Sequence, residues 1–558
     1  MASLAAGCAQ EDIGTVPTGG MSPTSYVSLS FASPQGAPTR SNPTGGEQGD
    51  GPETGQTYEN DIKSAVAFFY QGSGTDGVNS NGDTPIKAAV SFNVGGSIDR
   101  TYTTSPQQVD LKNGTYNVIV VANPGADWWT GKSLTLDDVR NHIQTAAWTA
   151  SESGYSNFVM TSAADATLTL NSNPKSNPAT AEVDVERMAA RLDYKTTGTY
   201  TCDDPAYESN NQKATVEITG AALVNNLTAG SYLLKRVADD VDGVPTYLGN
   251  ETPDAGVQTN YVLDPWTAGK TSANNSFTIG GETKTAEDLY GEWFGNISQD
   301  PNYWAAYVQP GIEVSDGTEK WQRIGYTLEN TTAAEEAGKR YSTGVVFKAK
   351  FHPQGVANYT DGETFFEYGT KIYASMENMM KNFYGSKFDE LDDLIKKCAT
   401  WGDVKQFITS TLLNNDPSGY NKYLEGLAEG KNDAETVSDA SSLTWSNYMK
   451  NECGYSKDEN RKVVLDQNYK VTRIALKPYG TRTYEDATCY YTWWVRHSND
   501  NNDDAKGIME YAIVRNNIYK LTVNSVYSLG GEVPEDESLI VDVYVNDWLL
   551  LDNETLPM

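Results

Sequence analysis

The sequence predicts a mainly β protein with more than one domain, and three observations lead there. At 558 residues the chain is long enough for roughly two to four domains, each with its own core. Its 34 Tyr and 49 Gly, with abundant Thr, Val and Asn, are the composition of sheets joined by turns. Its apolar residues recur mostly with period two, the signature of half-buried strands. One stretch, about 376–430, has helical spacing instead. No fixed-period repeat is present, which argues against a solenoid or propeller.

The elements follow in chain order. Residues 1–24 are polar in their second half and form a tether. In Ser25-Tyr26-Val27-Ser28-Leu29-Ser30-Phe31, the apolar Val27, Leu29 and Phe31 alternate with Tyr26, Ser28 and Ser30, which predicts a first strand over 25–31. Residues 32–57 are dominated by Gly, Pro, Ser, Thr, Gln and Glu and cannot build a core. One strand is therefore expected on a long leash, and long structureless loops inside compact domains are generally functional. Residues 62–70 and 116–121 read as strands, the second ending at Asn123-Pro124-Gly125. Thr135 is placed to cap a helix that carries Leu136, Val139, Ile143 and Ala147 along one face. His142 falls on the polar side of that helix and is expected in solvent.

Residues 166–170 and 183–194 add strands, and the Asn, Pro and Ser of 171–180 set the expected domain boundary. The second domain, 181–558, carries strands near 213–219, 344–351, 371–376, 489–495 and 511–527. Inside its insertion, Phe388, Leu391, Ile395 and Cys398, then Val404, Phe407, Ile408 and Leu412, mark two amphipathic helices. The chain closes on an apolar strand, 539–545, followed by Trp548-Leu549-Leu550-Leu551. This strand has no evident partner in its own sheet, an edge that invites pairing with another chain.

Charge and motifs exclude several functions. With Lys+Arg 42 against Asp+Glu 74, the net charge of −32 denies the cationic face that nucleic acid needs. The acidity is spread along the chain and reads as solubility. No run of 18 apolar residues exists to span a membrane. His142, His352 and His497 are scattered, and HExxH, GxSxG, phosphate-loop and dinucleotide motifs are absent. Asp500, Asp503 and Asp504 lack the glycine-centred spacing of a calcium loop and read as a solvated hairpin tip. Trp128-Trp129 and Trp493-Trp494 suit a sugar platform, yet paired Trp in a sandwich more often serve packing. The chain is expected to be no enzyme and to hold no cofactor or metal.

Cys8 follows Leu4-Ala5-Ala6-Gly7, which resembles a bacterial lipobox. Seven residues are too few for a secretion signal, so the true start is expected upstream or trimmed. Acylation at Cys8 by several chains gives firm membrane anchoring. The 31 residues after Cys8 contain no Lys or Arg; Arg40 is the first basic residue and Lys63 the next. A trypsin-like protease thus meets one site, Arg40-Ser41, in the exposed stretch. Cys202, Cys398, Cys453 and Cys489 allow three disulfide pairings, among which sequence does not choose.

Four stretches give a family resemblance. They are the first strand with Arg40, then Val183-Asp184-Val185-Glu186-Arg187-Met188-Ala189-Ala190-Arg191, then Val346-Phe347-Lys348-Ala349-Lys350-Phe351-His352-Pro353. The last is Val514-Arg515-Asn516-Asn517-Ile518-Tyr519, leading to Leu529-Gly530 and Trp548. Together they resemble the fimbrillins of type V pili, specifically the Mfa-type major subunit of short fimbriae in Bacteroidales-type bacteria. The helical insertion and the short leader depart from that pattern.

The resemblance implies two tandem transthyretin-like β-sandwich domains, 25–180 and 181–558. It implies export through the periplasm to the outer membrane as a palmitate-bearing lipoprotein, then cleavage after Arg40 by an arginine-specific or trypsin-like protease. The first strand, with Val27, Leu29 and Phe31, then leaves. A donor strand at about 547–558 of the next copy, carrying Trp548, Leu549, Leu550, Leu551 and Leu556, fills its place. Implied partners are other copies, accessory fimbrial subunits and the protease; the surface receptor for adhesion is not legible.

Physical chemistry supports the sequence of events. While leashed, the first strand sits at millimolar-scale effective concentration, and cutting the leash makes it a dissociable peptide. Different donor and acceptor surfaces give a head-to-tail, open-ended contact, which makes a filament. Two rival readings remain: a surface glycan-binding lipoprotein, and a tip adhesin that accepts a donor strand without passing one on.

Overall fold

The period-two alternation of β1 (Ser25–Ala32) puts Val27, Leu29 and Phe31 on one face, and all three are fully buried. The computed structural model describes residues 24–32, 53–72, 81–95, 102–151, 154–202, 204–239, 245–247, 260–262, 264–265, 276–279, 282–295, 304, 306–315, 319–331, 342–385, 455–457, 463–465, 481–497, 510–534 and 539–549. Over these residues the protein is mainly β. Next in the chain come β2 (Glu53–Thr54), the short helix α1 (Thr57–Asn60), β3 (Ser64–Tyr70), β4 (Ala88–Asn93), β5 (Tyr102–Thr103), β6 (Gln107–Val109) and β7 (Gly114–Ala122). Helix α2 (Leu136–Arg140), β8 (Ile143–Gln144), β9 (Met160–Ser162), β10 (Ala166–Leu170) and β11 (Ala179–Arg187) follow.

The first sheet runs β4-β3-β7-β9-β11-β1-β5, with β10 on β7 and β6 on β1. Strands β3 and β7 read as continuous apolar runs because both of their faces are covered. Ala65, Ala67, Phe69, Val118 and Val120 face the core that holds β1, while Val66, Phe68, Tyr70, Ile119 and Val121 face a second one. That second core also contains Leu227, Leu233, Leu234 and Leu328 from the later part of the chain. β7 stops at Asn123, whose φ of 49° lies in the left-handed region that Asn tolerates. Its side chain accepts from the Lys63 N–H and donates to the carbonyls of Asp61 and Phe158.

Helix α2 begins as the capping pattern requires. Thr135 Oγ1 accepts from the Asp138 N–H, and Asp138 accepts from the Thr135 N–H at 2.7 Å. It ends five residues on, sooner than the apolar spacing predicts. Ile143 and Gln144 form β8 instead, paired with Ser231 and Tyr232, so a distant strand decides the conformation that the local pattern left open.

The chain passes to a second sheet at Met188, later than the composition break at 171–180, because β11 completes the first sheet beside β1. The second sheet is built from β12 (Ala189–Lys195), β13 (Thr199–Cys202), β14 (Lys213–Val224), β16 (Ile312–Ser315), β17 (Lys320–Leu328), β18 (Gly344–Gln354), β19 (Thr488–Trp494), β20 (Asn517–Val526) and β21 (Leu539–Leu549), while β15 (Ser231–Tyr232) lies outside it and pairs with β8. Its order is β16-β17-β12-β20-β13-β14-β18-β19, with β21 on β20. A Cβ on Gly530 would overlap the Tyr490 carbonyl, so this residue lets the chain pass close over β19. The helix Met376–Tyr384 starts where the insertion was expected and is capped by Ser375, whose hydroxyl accepts from the Asn378 N–H. Phe388, Leu391, Ile395, Cys398, Val404, Phe407, Ile408 and Leu412 lie outside the described residues. Among the described residues no helix is long and apolar enough to cross a membrane.

Two expectations are corrected. The apolar end of the chain does have a partner in its own sheet: β21 pairs antiparallel with β20 from Asn517↔Asp547 to Val526↔Leu539. The leash read as 32–57 is structured from Glu53 onward, since β2 pairs in parallel with the end of β21 and α1 follows it. Composition hid this because the segment is held by charge and backbone pairing, not by apolar side chains.

Candidate functional site

β1 is a middle strand, not an edge. On one side it pairs in parallel with β11, from Val27↔Ala179 to Ala32↔Asp184. On the other it pairs antiparallel with β5 (Ser30↔Thr103, Phe31↔Tyr102) and with β6 (Ser25↔Val109, Tyr26↔Gln108, Val27↔Gln107). Val27, Leu29 and Phe31 share a core with Tyr102, Val109, Tyr116, Phe158, Ala181 and Val183. Burying three such side chains is worth about 5–9 kcal/mol gross. Polar contacts hold the strand lengthwise. The Tyr26 N–H donates to the Asn173 carbonyl at 2.9 Å, and Ser25 Oγ, fully buried, accepts from the Asn173 N–H. The Ser28 hydroxyl donates to the Thr104 carbonyl at 2.8 Å, while Thr104 Oγ1 accepts from the Leu29 N–H at 2.9 Å. Removing β1 leaves a groove with an apolar floor and backbone donors and acceptors on both walls.

The chain that follows β1 is fixed to the other sheet. Glu53 opens β2 and pairs with Arg191 at 2.5 Å and Lys520 at 2.9 Å. Arg191 also meets Glu59 at 3.0 Å and Asp193 at 2.8 Å, all of them buried. Burial pushes the Asp193 carboxyl up to about 6, against the pull of Arg191. Arg187 donates from Nε to the Glu59 carbonyl at 3.1 Å and also contacts Asn60. In the same place Trp548 pairs with Glu53, and Leu549 with Thr54. The end of the leash and the end of β21 therefore meet at one point.

Of the residues singled out from sequence, Val27, Leu29 and Phe31 fill the groove that β1 occupies. Trp548 and Leu549 end β21. Cys8, Arg40, Ser41, Leu550, Leu551 and Leu556 lie outside the described residues, as do Cys398, Cys453, Asp500, Asp503 and Asp504. Thr104, Asn173 and Glu53 were missed. Glu53 lies in a Gly/Pro stretch without periodicity, whereas Arg191 in the run Ala189-Ala190-Arg191-Leu192 did carry a signal, since a charge among apolar residues demands buried partners.

Trp128, Trp129 and Trp493 are committed to packing. Phe68 and His142 both stack on Trp128, at centroid distances of 5.5 and 3.9 Å, and Trp129 is buried. Trp493 packs on the core of the second sheet. His142 is thus not in open solvent as its helical position predicted; burial and Lys132 lower its pKa to about 4, while a hydrogen bond with Gln144 raises it. His497 is buried, with Nδ1 2.9 Å from the Tyr519 hydroxyl, and His352 Nδ1 lies 2.9 Å from Asp361. Cys202 and Cys489 are buried thiols in one core. Among the described residues no group of three or more His, Cys, Asp or Glu is placed to hold a metal ion.

Two family models match the chain, one toward each end. The family described as major fimbrial subunit protein (FimA) matches residues 27–229, beginning within β1. The C-terminal fimbrillin family of type IV major fimbrial subunit proteins matches residues 482–554, from β19 through β21. No curated protein matches the chain. Among solved structures, a fimbrilin (FimA) from Porphyromonas gingivalis W83 is 12% identical with a TM-score of 0.34, covering 94% of this chain and 99% of that one. The tip fimbrial protein Mfa3 from Porphyromonas gingivalis is 10% identical with a TM-score of 0.31, over 94% and 100%. A proposed cell adhesion protein from Parabacteroides distasonis ATCC 8503 is 11% identical with a TM-score of 0.37, over 94% and 100%. The two family matches, each over less than half of the chain, support a structural subunit of a cell-surface fimbria. Over those two stretches its sequence is similar to the fimbrillins.

Proposed function

We propose that this subunit is exported as a lipoprotein acylated at Cys8, cut between Arg40 and Ser41 by a trypsin-like protease, and polymerised by strand exchange. The observation that carries the reading is the position of β1. It is a middle strand with Val27, Leu29 and Phe31 fully buried, and the stretch 33–52 joins it to β2. Downstream of that stretch, Glu53 is bound to Arg191 and Lys520. A cut in the leash therefore frees β1 alone, while β2 keeps its ion pairs.

The replacement is the C-terminal segment of another copy. Trp548 and Leu549 are the last rungs of β21, so using them as donors requires the β2–β21 pairing to open. Leu550, Leu551 and Leu556 lie beyond it. Backbone pairing on both walls gives the inserted strand register and persistence, and the head-to-tail contact extends without closing. Partners are further copies and accessory fimbrial subunits, with the outer membrane as the site of assembly.

Electron microscopy and denaturing gels before and after limited trypsin test the reading. Wild type is expected to form filaments and ladders after cutting, whereas Arg40→Ala stays monomeric. Ladders from trypsin-treated Arg40→Ala, or filaments from uncut protein, refute the cleavage step.

A further inference from the structure

β5 and β6 do not form one continuous wall beside β1. Between the rungs Ser30↔Thr103 and Val27↔Gln107, β1 contributes Ser28 and Leu29, while the opposite chain contributes Thr104, Ser105 and Pro106. This is a bulge with one extra residue, and Pro106 has no N–H to offer the ladder. Thr104 fills the gap with three contacts. Its N–H donates to the Leu29 carbonyl at 2.9 Å. Its Oγ1 accepts from the Leu29 N–H at 2.9 Å, standing in for a backbone carbonyl. Its own carbonyl accepts the Ser28 hydroxyl at 2.8 Å. Thr104 is 3% exposed, and a bridge to Val94 holds it from behind.

We propose that Thr104 restricts the register of any strand seated in the β1 groove, and that the groove selects a segment with Ser or Thr directly before the apolar residue in the Leu29 place. This rests on the strand-exchange reading and adds a sequence requirement to it. Alternation alone fixes which face points inward. The apolar floor does not distinguish Val27, Leu29 and Phe31 sharply, because hydrophobic burial is non-directional. The Thr104 carbonyl separates Leu29 and Phe31, each preceded by a serine, from Val27, which follows Tyr26, since a seated strand without a hydroxyl at the Ser28 place leaves a buried acceptor unpaired. That omission weakens binding by about 5–150-fold, the equivalent of 1–3 kcal/mol.

The test cuts the full chain with trypsin in the presence of labelled Ser25–Ala32 peptides and follows uptake by fluorescence anisotropy. The wild-type peptide and Ser28→Thr are expected to enter with affinities within a few-fold of each other, and Ser28→Ala about 5–150-fold more weakly. Equal uptake of all three overturns the proposal while leaving strand exchange intact. If no peptide enters because β1 never leaves, strand exchange fails, and Thr104 is judged in the uncut chain. There, Thr104→Val should raise hydrogen exchange at the Leu29 amide at least tenfold, and Thr104→Ser should not. Unchanged Leu29 protection in Thr104→Val overturns the register role.

Discussion

Glu53 sets one carboxylate oxygen 2.5 Å from Arg191 Nη2, joining the residue that ends the leash to the second sheet. Its other oxygen lies 2.9 Å from Lys520 Nζ. Arg191 and Lys520 stand on the paired strands β12 and β20, where Asp193 is opposite Lys520. One side chain from the first part of the chain thus grips two strands of the second. Arg191→Met leaves Glu53, Glu59 and Asp193 buried around a missing cation and should cost about 3–5 kcal/mol of unfolding free energy. Glu53→Gln should cost less, about 1–3 kcal/mol, because Arg191 keeps two carboxylates. Urea titration measures both; wild-type midpoints in the two variants would show that the cluster does not hold the sheets.

Leu29 is fully buried at the middle of β1, and Leu29→Ala should destabilise the uncut protein by about 2–5 kcal/mol. Gln108→Ala, at an exposed position of β6, should change stability by no more than about 0.5 kcal/mol. After cutting, the Leu29→Ala strand should leave faster than wild type. Denaturation curves read the first effect, and release of the labelled N-terminal peptide reads the second.

The imidazole of His142, stacked on Trp128, should make the fold sensitive to acid. Its pKa is lowered to about 4 in the folded chain, first by burial, while an unfolded histidine titrates near 6.5. Between those values the unfolded chain binds more protons, so stability is fully present above about pH 6.5 and falls as pH drops toward 4. His142→Gln should flatten that part of the curve relative to wild type. Melting temperatures taken from pH 7 to 4 on both proteins check this, and parallel curves would exclude His142 as the source.

Deleting residues 550–558 leaves β21 and its pairing with β20 intact. Such a chain should still be cut and still accept a strand, but it should donate none. Mixed with wild type and trypsin, it should shorten the filaments in proportion to its share, measured by electron microscopy. Normal lengths at every ratio would move the donor away from the tail.

The first strand was legible because it obeys a local rule: Val27, Leu29 and Phe31 alternate with polar residues, and the Gly/Pro stretch behind them cannot form a core. The strand β7 and the cap at Thr135 were legible for similar reasons, since apolar periodicity and a Thr-x-x-Asp spacing act within a few residues. The full length of the helix was not. Ile143 fits either a helix or a strand, and its pairing with Tyr232 decided the matter.

The partners in space were hidden for the same reason. Sequence alone determined that one alternating strand sits ahead of a long coreless stretch with a single basic residue, because composition and periodicity are local properties. Tertiary structure alone decided that this strand lies between β11 and β6, that Thr104 meets Leu29, and that Glu53 reaches Arg191. Those contacts join residues 75 and 138 positions apart. Only the folded backbone brings such groups within hydrogen-bonding range, where burial makes each unpaired partner costly.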